Sequence, residues 1–402
     1  MSSDHIRSLR EVVCAEPKST AALAFGYFVV GIGAFAVTGL LNEIARELGT
    51  SVAGAGQLMS AYSLALAVGA PLLIPLTRRF GRRDLIAAGL GLFGVLQFAA
   101  AVAPTYSTLA AARIFAGLAA AVATPHSIAA AGLAAPPGRS GRAIATMFLG
   151  FTLSIVIGIP AGNALGAVLG WRVTLGLVCA MSFASAAWVA LTVSAKLPNT
   201  PVDWNAWRSL AGNAVILWLL LTTALQCAGQ FTLYTYLAPI LRDSLGIDAT
   251  GIGLLFGWFG VAGLAGNYFA SRVIDRIGAG RVVGVCLALM IAAFAMWPIA
   301  YGSLVTTMLA ISIWGLGGFA IHPSQQARLV LLAPELASAS AALNLSATYF
   351  GQMLGSAFGG GLITWFGADA LAWGGAALLV AAIGAAFAAG QRPAARDDVE
   401  QA

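Results

Sequence analysis

Residues 69–84 read GAPLLIPLTRRFGRRD and residues 266–281 read GNYFASRVIDRIGAGR. The two stretches start 197 positions apart (266 − 69), and each carries an apolar run into a basic loop built around a glycine. At the same offset Thr38, Leu40, Leu48, Gly49, Gly56, Gly69, Arg79 and Gly81 coincide with Thr235, Leu237, Leu245, Gly246, Gly253, Gly266, Arg276 and Gly278. Gly158, Gly162 and Gly170 continue the register to Gly355, Gly359 and Gly367, while Pro125 and Pro323 pair at 198 (323 − 125). A register held through both apolar runs and polar loops marks a duplicated unit.

The medium of that unit follows from composition. The 402 residues are 59% hydrophobic and 9% charged, with a mean hydropathy of +0.88, far from a water-soluble domain, in which about a quarter of residues are charged. Apolar runs long enough to cross a hydrocarbon layer of about 30 Å as helices recur along the chain. Twelve are expected, at 21–41, 54–76, 84–104, 108–132, 144–166, 172–194, 214–238, 250–271, 281–301, 304–330, 338–364 and 370–390. The 48 glycines do not oppose helix here, because small residues let membrane helices approach backbone to backbone.

The net charge of +6 is not a nucleic-acid footprint, because the basic residues report topology instead. With a cytoplasmic amino terminus, 17 of the 21 Lys and Arg fall on the inner side, Arg46, Arg172 and Arg242 on the outer side, and Arg113 within a span. That asymmetry obeys the positive-inside rule and puts both termini in the cytoplasm. Six spans return the chain to its starting side, so the two halves run parallel. The expected organisation is a six-helix bundle over 1–195, a polar cytoplasmic linker over 196–213 and a second bundle over 214–402. The first apolar run is too long for the core of a cleaved leader and is expected to remain as an anchor. Cys14, Cys179, Cys227 and Cys286 have no metal-ligand spacing and receive no function.

Several motifs sharpen this picture. The loop Thr77–Asp84 (TRRFGRRD) and its repeat Asp275-Arg276-Ile277-Gly278 place basic residues, a glycine and an acid at one membrane face. In the run 144–166, Gly150, Ser154, Gly158 and Gly162 recur every four residues, a stripe of small side chains along one helix face, with Pro160 beside it. The chain as a whole, and especially Ala55–Tyr62, Gly69–Arg83, Arg142–Gly170 and Tyr234–Pro239, resembles the major facilitator superfamily. Within it the resemblance is to twelve-span drug:proton antiporters of the sugar-efflux and chloramphenicol-resistance type.

The resemblance implies an all-α integral membrane protein whose two pseudo-symmetric bundles rock around a central cavity. It implies a secondary exporter of a small polar or amphipathic molecule, drug or sugar-like, in the bacterial inner membrane, acting as a monomer, with proton exchange as one form of coupling. Uptake or uniport by the same fold stays open. The inner gate would comprise Arg79, Gly81, Arg82, Arg83, Asp275, Arg276 and Gly278, bonded across the halves by Arg–carboxylate pairs. Gly158, Pro160 and Gly162 resemble the antiporter motif, with the stripe expected to face a helix of the other half. Arg113, in Arg113-Ile114-Phe115-Ala116-Gly117, resembles an arginine motif of proton coupling.

Other candidates come from the residues themselves, because polar groups in lipid are costly and therefore informative. His126 and His322, each beside a proline, can donate, accept or titrate. Glu43 closes the list of proton-coupling candidates, for all fifteen acids fall in tails, loops or helix ends. Where relatives carry an acid in the first span, this chain has Gly31-Ile32-Gly33-Ala34-Phe35. Gln226, Gln230, Tyr234, Tyr236, His322, Gln325, Asn344, Tyr349 and Gln352 are the cavity candidates. The same amides and phenols would equally serve as bonds between helices. No phosphate loop, metal cluster or nucleophile motif appears, so neither an enzyme nor a cofactor is expected.

Overall fold

The computed structural model describes residues 17–77, 79–134, 140–195, 197, 212–300, 302–332 and 337–390. The expected linker and Cys14 therefore lie almost wholly outside the described residues. Among those residues, sixteen α-helices form twelve rods: α1 Pro17–Gly39 with the short α2 Leu41–Glu47, α3 Val52–Leu76, α4 Arg82–Ala101, α5 Tyr106–Ala134, and α6 Ser140–Leu153 joined to α7 Ile159–Leu169, then α8 Trp171–Thr192. The second set is α9 Ala214–Tyr234 with α10 Leu237–Leu245, α11 Ala249–Ile277, α12 Ala279–Ala295 with α13 Trp297–Ala300, α14 Leu304–Leu332, α15 Ala337–Phe366 and α16 Ala370–Gly390. Nine helices, or ten counting one bent pair, are by themselves long and apolar enough to cross a membrane.

Each rod begins and ends where its chemistry dictates. The Ser51 hydroxyl accepts from Gly54 N at 3.0 Å and the Asp248 carboxylate from Gly251 N at 2.8 Å, N-caps at repeat-related positions. Gly49 and Gly246, at φ +63° in both halves, supply the left-handed turn before those caps. Breaks are shared too. The first rod is interrupted at Leu40 and the seventh at Thr235 and Tyr236, positions within two residues of each other at the 197 offset (40 + 197 = 237).

Packing within each half relies on missing side chains. A Cβ on Gly150 would collide with the Ala24 backbone, and one on Gly355 with the Ala228 backbone. The small-residue stripe therefore has a neighbour different from the one expected. Gly150, Ser154 and Gly158 pack on α1, against Ala24, Gly31 and Ile32 of their own half, and Gly162 faces Thr174 of α8. Contact with the other half is made on a different face, by Val156 and Pro160 against Gly253, Gly257 and Gly260 of α11. The reason is that the glycines which admit this crossing belong to the partner helix. Between α6 and α7 lies a π-helical turn, Ser154–Gly158, and the rod bends by 41°. Pro160 has no N–H to give the Val156 carbonyl, and a Cβ on Gly257 would sit 3.1 Å from that oxygen.

Gly355→Leu should therefore lower the melting temperature of the detergent-purified protein markedly, since overpacking a close helix contact costs about 1–3 kcal/mol. Gly284→Leu, where a new Cβ meets nothing within 4 Å, should leave it unchanged.

Candidate functional site

Polar groups concentrate where the two sets of rods meet. Arg113 is fully buried on α5. Its Nη1 donates to Gly33 O at 2.6 Å and its Nη2 to Ala34 O at 2.9 Å. Helix carbonyls retain a second lone pair, so α1 can solvate the cation without breaking its own ladder. The guanidinium also lies 4.4 Å from the centre of the Tyr62 ring on α3, a buried cation–π contact. Tyr27 stacks on Phe151 at 5.0 Å, and Tyr349 is buried on α15 of the second half.

A ring cluster adjoins these tyrosines. Phe35 of α1 meets Phe231 and Tyr234 of α9 at 6.0 Å each. Tyr234 in turn touches Phe256 at 5.4 Å and Trp314 at 6.1 Å. Its hydroxyl has no hydrogen-bond partner, nor has that of Tyr62. The halves are also bonded directly, midway along the rods and towards the end of the molecule that carries the helix breaks. Ser63 Oγ donates to Gln352 Oε1 at 3.3 Å. Tyr236 Oη donates to Ser356 O at 2.9 Å and receives Gln57 Nε2 at 3.4 Å. Arg242 Nη2 of α10 meets Glu43 Oε1 of α2 at 3.0 Å, an ion pair between the two short helix tips. Tyr236 and Glu43 thus stand in this closed layer.

The amides of the second half are largely spent on one another. Gln226 Nε2 donates to Gln230 Oε1 at 2.9 Å, four residues along one face of α9 as expected. Gln325 Nε2 donates to Leu219 O at 2.8 Å, and Thr223 Oγ1 to Asn344 Oδ1 at 2.8 Å. Asn344 Nδ2 reaches Gln326 Oε1 at 3.2 Å. These bonds tie α9, α14 and α15 together. His322 is half-buried on α14, while His126 is buried in the first half with Nε2 3.4 Å from Thr77 Oγ1. The two histidines therefore sit in different halves.

At the basic loops, Arg79 and Arg276 are exposed and Arg82 is buried. Arg83 Nε bonds its own neighbour Asp84 at 3.0 Å. Gly81 is the N-cap of α4 and Gly278, at φ +85°, links α11 to α12. Asp275 lies within α11. Gln97 was not foreseen. It is fully buried on α4 beside Gly33, and neither its oxygen nor its nitrogen has a hydrogen-bond partner. Its signal was available as a lone amide in the middle of the run 84–104.

Near the helix tips a second cluster fixes the first half. Arg172 donates to Glu47 Oε1 at 2.8 Å, to Ala101 O at 2.9 Å and to Ala103 O at 2.7 Å, while lying 4.3 Å over the Trp171 ring. The Arg172 hydrogen bond holds the Glu47 carboxyl below its ordinary value, against the opposing effect of desolvation and with help from Trp171 Nε1. Beside it opens a cavity of about 530 Å³ lined by Glu43, Glu47, Trp171, Arg242 and Asp248 among others.

Two six-helix sets with buried polar groups make an all-α multi-pass membrane protein. The sequence profile of the Major Facilitator Superfamily matches residues 23–240 and 219–401, and the chain belongs to that superfamily. It is 32% identical over 345 residues to the inner membrane transport protein YdhP of Escherichia coli (strain K12), covering 85% of this chain and 88% of the relative. It is 29% identical over 358 residues to a chloramphenicol efflux pump of Mycobacterium tuberculosis (strain H37Rv), covering 85% and 84%. In fold it is similar to a bacterial homolog of the human lysosomal transporter Spinster in an inward-facing, unoccupied conformation, with a TM-score of 0.75, 18% identity and coverage of 93% and 97%. The chain is accordingly a secondary transporter of the inner membrane acting on a small molecule.

Because folding lowers the Glu47 pKa, the Arg172–Glu47 bond stabilises above the unfolded carboxylate value of about 4.3 and is lost as pH falls through the lower folded value. Glu47→Gln should thus melt slightly below the parent, by about a degree, between about pH 8 and 5, the exposed pair being worth at most about 1 kcal/mol, and the difference should shrink as pH falls below about 4.

Proposed function

We propose that this protein exports a small polar or amphipathic molecule, drug or sugar-like, by alternating access between halves divided as 1–195 and 214–402 and linked by 196–213. The observation that carries the reading is the nature of the contact between the halves. Beside the close packing of Val156 and Pro160 on the α11 glycines, it includes aromatic faces, a few single hydrogen bonds and an ion pair, groups that water or substrate can replace when the halves separate. Export is supported by the efflux relative, and chloramphenicol, named for that relative, is the first compound to try.

The inner faces of the spans would supply the substrate surface. Gln226, Gln230, Tyr234, His322, Gln325, Asn344, Tyr349 and Gln352 offer amides, an imidazole and phenols, groups suited to an uncharged polar ligand. Tyr236, bonded to Ser356 and Gln57, acts in closing one end. At the other end Arg79, Gly81, Arg82, Arg83, Asp275, Arg276 and Gly278 form the gate that closes in the alternate state. Gly158 and Gly162 keep the Pro160 bend seated on its own half, so that the bend can press on α11. The protein would work as a monomer, and the distribution of its basic residues supports a cytoplasmic place for both termini.

Proton coupling would rest on Arg113, His126, His322 or Glu43. Uniport is the second reading, favoured by the absence of any carboxylate from the interior of the expected spans. Purified protein in liposomes containing a pH-sensitive dye tests both. Labelled chloramphenicol should exchange against unlabelled compound, and net chloramphenicol flux down an imposed gradient should acidify or alkalinise the lumen. Net flux without proton movement would leave uniport, and a panel of drugs and sugars none of which exchanges would overturn the export reading.

A further inference from the structure

Arg113 poses an electrostatic problem that its hydrogen bonds do not solve. Two carbonyl oxygens and an aromatic face hold the guanidinium, yet these are dipoles and a quadrupole, and its Nε has no partner. The formal charge stays. No acid falls in the interior of a span expected from the sequence, and Glu43, Glu47 and Asp84 stand at helix tips and ends. Salt does not screen a charge enclosed in protein and lipid as it does one at a surface. The guanidinium lies 4.4 Å from the Tyr62 ring, and Ser63, the next residue along α3, is bonded to Gln352 of the other half at 3.3 Å, so the field of Arg113 reaches the seam between the halves.

We propose that Arg113 sets a charge rule for the transported molecule: uncharged and anionic compounds enter between the halves, and cations are turned away. The rule rests on the transport reading above and narrows it to a substrate class. At a separation of about 10 Å and an effective dielectric constant of about 20, one fixed positive charge lowers the occupancy of a monocation by roughly tenfold or more relative to an uncharged molecule of the same shape. The other interior groups named above, Gln97, Gln226, Gln230, Asn344 and Gln352, are amides and do not offset it.

The test is counterflow in liposomes of one aryl amphipath in three forms: uncharged, carboxylate and quaternary ammonium. Counterflow has no net driving force, so it does not read any part Arg113 plays in proton coupling. The parent protein should exchange the first two and the quaternary form at least about tenfold more slowly. Arg113→Lys should keep that ratio, and Arg113→Gln should bring the quaternary form to within about threefold of the uncharged one as the repulsion disappears. Gln352→Glu, close in shape and on the opposite half, should raise quaternary exchange with Arg113 intact, which covers the case in which Arg113→Gln fails to insert. A parent that exchanges the quaternary and uncharged forms alike, or a ratio unmoved by Gln352→Glu, overturns the charge rule alone. If none of the three forms moves, the transport reading of this site fails and the rule falls with it.

Discussion

Hydrocarbon gives two helices no reason to associate through apolar surface, because lipid tails are as apolar as leucine. Everything that holds these twelve rods together must therefore come from close fit and from polar groups that have nowhere else to bond. Within each half, fit dominates: glycines let one backbone press on another, as Gly150 does on Ala24 and Gly355 on Ala228. Between the halves, the fit of Val156 and Pro160 on the α11 glycines is joined by single bonds, including Ser63–Gln352, Tyr236–Ser356 and Glu43–Arg242. The first kind of contact has no substitute in water, while the second does. Rigid halves and a separable seam are thus two outcomes of one solvent constraint.

The repeat explains why the small-residue stripe turns inward. Gly158 of the first half corresponds to Gly355 of the second, and Gly31 corresponds to Ala228. In one half Gly158 and Ser154 press on α1, and in the other Gly355 presses on α9, which is the repeat-related rod. The stripe is therefore a device for building a half. Coupling to the other half falls to Val156 and Pro160, whose bend meets three glycines of α11. Bend and glycines have to be supplied by different halves for this crossing to work.

The fold was legible because hydropathy and the constant offset need only local and self-comparison. The run 370–390 and its helix Ala370–Gly390 coincide, and the other ends differ by several residues at most where no second helix follows. What the sequence did not disclose depends on neighbours. Four-residue spacing named the stripe without naming what it packs on. The amides of α9, α14 and α15 were visible as polar groups in lipid, but their mutual bonds were not. Glu43 was visible as an acid at a helix end, whereas its pairing with Arg242 depends on two helix tips that break at repeat-related positions. Gln97 was passed over because one amide in a long apolar run gives no spacing to read.

The central claim is that the seam opens at one end as it closes at the other. Spin labels at the exposed positions Arg46 and Asp243 report the end carrying the helix tips, and labels at the exposed positions Arg79 and Arg276 report the basic loops. Pulsed electron resonance on the protein in lipid should find the first distance lengthening and the second shortening as one population gives way to another on addition of a transported compound. Both distances staying fixed, or both lengthening together, would contradict the account.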